Sequence, residues 1–463
     1  MLFSCSFHME INRTGKGEKE DMNTVSTRPE AILPMYLKYV SANVLGMIGF
    51  SCYILADTFF IARGIGADAL AALNLALPAY SLMNGTGLMI GMGAAARYTL
   101  SATRPDGDAH RSSFTHALYL AILAALIFTS AGLLIPDTIA SILGANEQTI
   151  GYASDYLRIL LTFSPLFLGN NLLLCFVRND GEPALSMTAM ITGSLTNIVL
   201  DYVFVYPLDM GMTGAAIATA TAPLVGMAIL SLHFIRRRSH FRIIRTAPSL
   251  KSAGHICALG VSSLITELSS GIVIIVFNFL ILGLNGNTGV AAYGILANIG
   301  LVLTAVFTGI AQGIQPLVSR YAQQEGSAGG RTMSRLRRYS VITALLFAAI
   351  AYILTLLFSV PIADIFNRDH DPILTSIASD GMKIYFFSLF FSGINIVAGS
   401  FLSSSDRPKQ AFVVSILRGF VLIVPVAWIF AKLLGMTGIW MSVPVTEALV
   451  CVVAVWFLFR KLR

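Results

Sequence analysis

Acidic side chains in apolar surroundings are the first chemistry this sequence offers. Asp57 lies in YILADTFFIA and Asp201 in TNIVLDYVFVY, each within an apolar run. An ionisable group at the centre of a bilayer costs roughly 2.5–3.5 kcal/mol on insertion scales, so such groups are rare and usually functional. Two carboxylates sharing an apolar site cannot both ionise cheaply, and a pair of this kind would hold a proton or a small cation. Asn197 precedes Asp201 by four residues, one helical turn away on the same face. Thr219, in GAAIATATAP, offers a hydroxyl and a carbonyl. Together Asp57, Asn197, Asp201 and Thr219 make an oxygen-rich set suited to H⁺ or to Na⁺ in transit. The plainer alternative is that each acid fixes packing against a helix end or an arginine. No Arg or Lys stands at matching depth, because Arg97 and Arg158 fall near the ends of their runs.

The second half of the chain carries a different set. Glu267 lies near the middle of an apolar run, with Asn278 three turns later. A Glu in a cavity would attract a cationic substrate or serve as a second proton site; it could equally be a structural partner of Arg418 or Glu447. Those last two sit at comparable depth in consecutive runs, and a structural ion pair is the favoured reading for them. Asn171 and Asn395 stand at equivalent places in the two halves and join Glu267 and Asn278 as candidates for a substrate cavity.

These residues must be held by membrane-spanning helices. The chain has 463 residues, of which 56% are hydrophobic and only 12% charged, about half the charge of a soluble domain. Its apolar blocks run to 20 residues or more, long enough to cross the roughly 30 Å hydrocarbon core as helices. Twelve spans are expected: 34–61, 70–100, 113–136, 152–177, 183–206, 213–235, 253–283, 288–318, 339–363, 378–404, 409–431 and 438–460. Asp57 is then about 23 residues into the first span and Asp201 about 18 into the fifth. At about 1.5 Å per residue they lie at similar depth in the outer half.

Positive loops stay in the cytoplasm. Even-numbered loops carry Arg97, Arg104 and Arg111, then Arg178, then Arg236 to Arg238 with Arg242, Arg245 and Lys251. They continue with Arg320, Arg331, Arg335, Arg337 and Arg338, then Arg407 and Lys409, and the tail adds Arg460, Lys461 and Arg463. Odd-numbered loops offer little beyond Arg63, Arg368 and Lys432. Both termini are therefore expected in the cytoplasm, which requires an even number of spans.

The halves repeat one another. ASDYLRI (Ala153 to Ile159) matches ASDGMKI (Ala378 to Ile384) at an offset of 225. Gly169 and Asn171 match Gly393 and Asn395 at 224, Pro183 matches Pro408 at 225, and GMTG at Gly211 matches GMTG at Gly435 at 224. Six spans separate the copies, so both halves enter the membrane in the same direction. This is a parallel repeat, a plan used by transporters that rock two bundles about a central site. The expected fold class is an all-α polytopic membrane protein with two six-helix lobes. Its divisions are a disordered cytoplasmic tail at 1–33, an N-lobe at 34–236, a cytoplasmic linker at 237–252 and a C-lobe at 253–463. The tail has no apolar core of a signal peptide, and Met22 is a second candidate start on which function should not turn.

Other classes lack support. The net charge of +7 is a matter of loop placement and implies no nucleic-acid partner. Five scattered cysteines form no CxxC pair, so neither a disulfide framework nor a resident metal is expected. No phosphate-binding G-x-x-x-x-G-K-[ST] loop, HExxH or G-x-S-x-G is present, so the chain reads as neither an ATP-driven pump nor an enzyme. Asp155 with Arg158, and Asp380 with Lys383, are acids at helix starts with an i,i+3 partner, and suit a structural role. Most of the 29 Phe and 17 Met face lipid or pack helices.

Taken with the two six-helix halves, ADTFFIARGIGADALAALNLALP, ASDYLRI, RNDGEP and TNIVLDYVFVY followed by GMTGAAIAT resemble the multidrug and toxic compound extrusion (MATE) family. The bacterial MepA-like and DinF-like branches are the nearest in appearance. The resemblance covers residue 34 to the end and is most specific over the fourth to sixth spans. It implies a first-lobe cation site on Asp57, Asn197, Asp201 and Thr219, and places Glu267 where many members carry a seventh-span acid. Some members bend the first span at a proline, but Tyr36 to Ile61 contains none. The implied function is antiport of amphipathic, often cationic organic compounds against inward H⁺ or Na⁺, without a cofactor, by a monomer in a bacterial cytoplasmic membrane. The alternative on the same plan is a flippase for a lipid-linked or amphiphilic metabolite, which should place several Arg or Lys in the central cavity. A passive channel or receptor is the rival from another class.

Overall fold

A computed structural model describes residues 32–102, 107–322, 327–366 and 371–460. The expected tail lies outside these residues except for its last two positions, as do Arg104, Arg368, Lys461 and Arg463. In lipid every backbone polar group must be satisfied within its own segment, so an apolar chain of this kind is driven to helix. Among the described residues nine helices are long and apolar enough to cross a membrane. The pair Ile150–Thr162 and Ser164–Asn179, bent by 50°, makes a tenth. Two more crossings complete twelve. Ala67–Ser101 has 35 residues, ample length by rise alone, though glycine and polar residues dilute its hydropathy. Pro408–Phe459 turns back at Gly435.

Side-chain contacts confirm both reversals. The rings of Phe277 and Tyr293 meet at 5.3 Å between centres, whereas 16 residues of straight helix would separate them by about 24 Å. The chain reverses there at Asn285 and Gly286, the latter with φ 59°. Arg418 likewise meets Glu447 across the turn at Gly435.

The sequence repeat is a repeat of backbone events. Gly211 and Gly435 open the sixth and twelfth spans with φ of 56° and 60°, a left-handed conformation that glycine adopts without steric cost. Gly214 lies against Phe204, where an added Cβ would be 2.9 Å from the Phe204 Cβ, and Gly438 packs onto the Phe430 carbonyl. Each GMTG is thus a turn glycine followed by a close-approach glycine. The bend at Phe163 has its counterpart in the 3₁₀ turn Phe386–Ser388. Pro136 and Pro361 each follow a non-helical residue, Ile135 and Phe358.

Two apolar cores result. One is built from the second to sixth spans with the end of the first; the other from the seventh to twelfth spans. The start of the first span departs from this division. Ile32, Tyr36, Tyr39 and Val40 pack in the second core, and Tyr36 donates to Thr343 Oγ1 at 2.9 Å. The segment expected as a plain linker, 237–252, is docked on the first lobe. Phe241 is buried against Phe114, Phe176 and His233, and the His240 amide donates to Asp180 at 2.9 Å. The seventh span accordingly begins at Leu250, capped by Ser249, whose Oγ accepts from the Ser252 amide.

The lobes close on each other at the end that carries the termini. The first span crosses the eighth there, and the second crosses the seventh. Small residues allow the approach: a Cβ on Gly309 would lie 2.6 Å from Val44 Cα, and one on Gly313 would lie 2.8 Å from Val40 Cα. Gly93 and Gly260 meet the facing backbone carbonyls of Ile256 and Met89 more closely still. Arg97 donates across this base to Ser252 Oγ at 3.0 Å.

Candidate functional site

Asp57, Asn197, Asp201 and Thr219 come together in the first lobe, all buried. Four residues per turn set Asn197 directly behind Asp201. With its amide turned so that both neighbours are satisfied, Asn197 donates to Asp201 Oδ2 at 3.0 Å and accepts from the Thr219 backbone amide at 3.2 Å. The Asn197 side chain therefore ties the fifth span to the sixth. Asp57, from the first span, lies close enough to Asp201 for their charges to interact. Asp57 Oδ1 and Asp201 Oδ1 are buried with no hydrogen-bond partner, and Thr219 Oγ1 has only the Tyr156 hydroxyl beside it. Leaving a buried acceptor unsatisfied costs about 1–3 kcal/mol, so the two carboxylates together are a standing demand for a proton or a cation.

Tyrosines close this site on the cavity side, and sequence periodicity does not separate them from ordinary core aromatics. Tyr53 and Tyr80 share a hydroxyl hydrogen bond of 3.1 Å. Tyr156 is buried near both Asp57 and Asp201. Tyr80 is near both Asp57 and Glu267, so it stands between the two candidate acid sites. One turn further along the same span, Asn84 donates to Glu267 Oε2 at 3.4 Å and accepts from Asn171 Nδ2 at 2.8 Å. Asn171 and Glu267 are thereby joined through a residue that spacing alone gave no reason to choose.

Two cavities meet at this point, sharing Leu88, Glu267 and Gln312. The first-lobe cavity is mostly apolar, with Met47, Phe50, Tyr53, Tyr80 and Phe167 in its wall and Thr219 among its lining residues. The second-lobe cavity is rich in hydroxyls and reaches Asn395 and Arg418. Asn278 lines neither of these two cavities and is half-buried on the seventh span.

Glu267 does not pair with the second-lobe charges. Arg418 Nε instead donates to Glu447 Oε1 at 2.6 Å, and Asn395 Nδ2 donates to Glu447 Oε2 at 2.7 Å. The repeat-related Asn171 and Asn395 thus anchor separate networks: that of Asn171 crosses to Glu267 on the seventh span, and that of Asn395 stays within the second lobe. Lys383 pairs with Asp380 at 3.1 Å on an exposed face, but in the second half of the helix Pro372–Tyr385 rather than at a helix start, because the helix begins eight residues before Asp380 and is capped by Asp371.

Arg178 corrects the sequence reading. Spacing assigns it to a positive loop, yet it is fully buried in the fourth span and lines the first-lobe cavity. Its Nη1 donates to Asn43 Oδ1 at 2.7 Å and to Gln312 Oε1 at 2.8 Å, joining the first, fourth and eighth spans. The signal was available in RNDGEP: the turn proper begins at Asp180 and Gly181, where φ reaches 100°.

Two parallel-repeat lobes, closed at one end and with cavities that meet between them, have the plan of a membrane transporter. The chain belongs to the MatE family, which matches residues 43–203 and 262–429, one segment in each lobe. It is similar to the Staphylococcus aureus (strain MRSA252) protein called multidrug export protein MepA, with 25% identity over 445 residues and 94% of each chain covered. The Staphylococcus saprophyticus protein of that name is 23% identical, covering 89% of this chain and 90% of its own. Among solved structures, one described as the outward-facing conformation of a multidrug resistance MATE family transporter superposes with a TM-score of 0.83. Its identity is 21%, covering 92% of this chain and 94% of its own. A MATE structure in a straight conformation gives 0.84, at 21% identity and covering 92% and 95%; one in a bent conformation gives 0.80, at 22% identity and covering 92% and 94%. The first span here runs without a break from Ile32 to Gly64.

Proposed function

We propose that this protein exports amphipathic, often cationic organic compounds across a bacterial cytoplasmic membrane in exchange for inward H⁺ or Na⁺. The termini lie on the cytoplasmic side, and the two-lobe monomer is the working unit. The observation that carries this reading is the pair of unsatisfied buried carboxylate oxygens on Asp57 and Asp201, next to an apolar, aromatic cavity. The names of the MepA relatives agree with it.

The mechanism follows from the connections between these groups. With the base closed, the cavity opens away from the termini, and a proton or Na⁺ enters the Asp57/Asp201 site. Occupancy there changes the field at Tyr80, which also lies beside Glu267. Asn84, one turn along, holds the Glu267 carboxylate. The second span therefore carries the state of the cation site to the substrate cavity, where Glu267 attracts positive charge. Drug leaves as the cation arrives, and the lobes rock to open the other end. No cofactor takes part.

The flippase alternative needs several cations free to hold an anionic headgroup. Arg178 and Arg418 are the cations in the walls of these two cavities; Arg178 is bound to Asn43 and Gln312, which leaves Arg418 alone rather than several free cations and favours drug export.

The test is uphill movement of rhodamine 123 in proteoliposomes of defined orientation, under an imposed pH gradient and then a Na⁺ gradient. Wild type should follow one gradient, and Asp201→Asn should lose that response. Each pH unit is worth about 1.4 kcal/mol per proton, so accumulation should approach tenfold per exchanged proton and fall to unity in the variant. Equal transport in the variant would remove Asp201 from coupling. Dye that follows neither gradient would turn the reading to the flippase.

A further inference from the structure

The second-lobe cavity has chemistry that export of simple cations does not use. Arg418 stands in its wall within a single π-helical turn, Leu417–Val421. Such turns are rare and cluster at functional sites. This one is seated by Gly419, which packs directly on Ser269 of the seventh span. Glu447 does not line the cavity; it holds Arg418 from behind through Nε, and Asn395 holds Glu447 in turn. A guanidinium fixed by its Nε presents both terminal amino groups forward, the geometry that grips a carboxylate through two parallel hydrogen bonds.

A second observation points to a ligand. Gln315 lines the same cavity at 1% exposure, and neither its amide nitrogen nor its oxygen has a hydrogen-bond partner. Asn395 Oδ1 is buried and unpartnered as well. Burying an amide without partners costs about 1–3 kcal/mol by mutational measures, and a polar ligand group would relieve that cost. Ser262, Ser415 and Ser400 add hydroxyls to the wall. At its other limit the cavity reaches Glu267, shared with the apolar first-lobe cavity.

We propose that the second-lobe cavity is a subsite for the carboxylate of zwitterionic substrates, which bind with the carboxylate on Arg418, the cationic group toward Glu267 and the apolar body in the first-lobe cavity. This rests on the export reading for its substrates, but it is a statement about binding and is tested by binding.

Rhodamine 123 and rhodamine 110 share one cationic ring system; the first is the methyl ester of the carboxylate that the second carries free. Each would be titrated with the purified full chain in detergent, followed by fluorescence polarisation. Three variants separate the subsite from folding. Arg418→Lys keeps the charge and loses the fork. Arg418→Gln with Glu447→Gln removes the pair without leaving a lone buried charge. Gln315→Met removes the unpartnered amide and leaves the pair intact. The expected result is a Kd for rhodamine 110 raised about tenfold in both Arg418 variants and about threefold in Gln315→Met, with rhodamine 123 changed by less than twofold. Equal shifts for the two dyes would overturn the subsite, as would unchanged rhodamine 110 binding, which would mean that water alone satisfies Gln315. Wild type that binds rhodamine 123 but not rhodamine 110 overturns the subsite and leaves export standing. The selective loss of rhodamine 110, found in a protein that moves neither dye uphill, would support the subsite while removing the export reading.

Discussion

Substituting Gly309 by alanine should push the transporter out of the state described here. A Cβ at that position would lie 2.6 Å from Val44 Cα, 2.9 Å from Val44 N and 3.0 Å from Asn43 O. These are backbone atoms of the first span and cannot rotate aside. Ordinary contact begins near 3.4 Å, so the first and eighth spans must separate by 3.4 − 2.6 = 0.8 Å. Overpacking of a well-packed interface by one methyl group costs about 1–3 kcal/mol. That cost falls only on the state with the base closed, and it shifts the two-state ratio by about 5- to 150-fold. Gly294→Ala on the same helix is the control: nothing lies within 4 Å of its added Cβ, and both variants gain the same helix propensity. The assay is thiol labelling of Ser263→Cys, on the cavity wall, in a chain whose five native cysteines have been replaced. Labelling from the terminus-bearing side relative to the far side should rise by the stated factor in Gly309→Ala and stay level in Gly294→Ala. Identical labelling in the two variants would refute the claim that this glycine contact seals the base.

Arg178→Met keeps most of the side-chain volume but strands Asn43 Oδ1 and Gln312 Oε1; at about 1–3 kcal/mol for each unsatisfied group, the thermal unfolding midpoint in detergent should fall clearly. An unchanged midpoint would mean that the guanidinium does not bridge these spans. Gly211→Ala and Gly435→Ala should each destabilise by about 1–2 kcal/mol, because their φ values of 56° and 60° are costly for any residue with a Cβ. Gly151→Ala, in open space within a helix, should not destabilise, and a similar loss at Gly211 and Gly435 is the signature of the repeat.

The sequence by itself determined the membrane class, the count of twelve spans and the doubling of the chain. These follow from local quantities: the length of apolar runs, the sidedness of Arg and Lys, and an offset of 224 to 225 between motifs. It also named the four oxygen-bearing residues of the first lobe, because a carboxylate in an apolar run stands out against its neighbours and Asn197 follows from helical period alone. Arg418 and Glu447 were legible for the same reason. Only the tertiary structure decided what these groups touch. Asn84, Tyr80 and Gln312 are unremarkable within their own helices and acquire meaning from helices that cross them. Arg178 reads as a loop charge until the span is seen to continue past it into the base. Glu267 has two candidate partners by depth, Arg418 and Glu447, and the crossing of the second and seventh spans gives it Asn84 instead. Depth in a membrane is fixed by position along one helix, and so it is written in the sequence; rotation about the helix axis and the choice of neighbour arise from packing among all twelve.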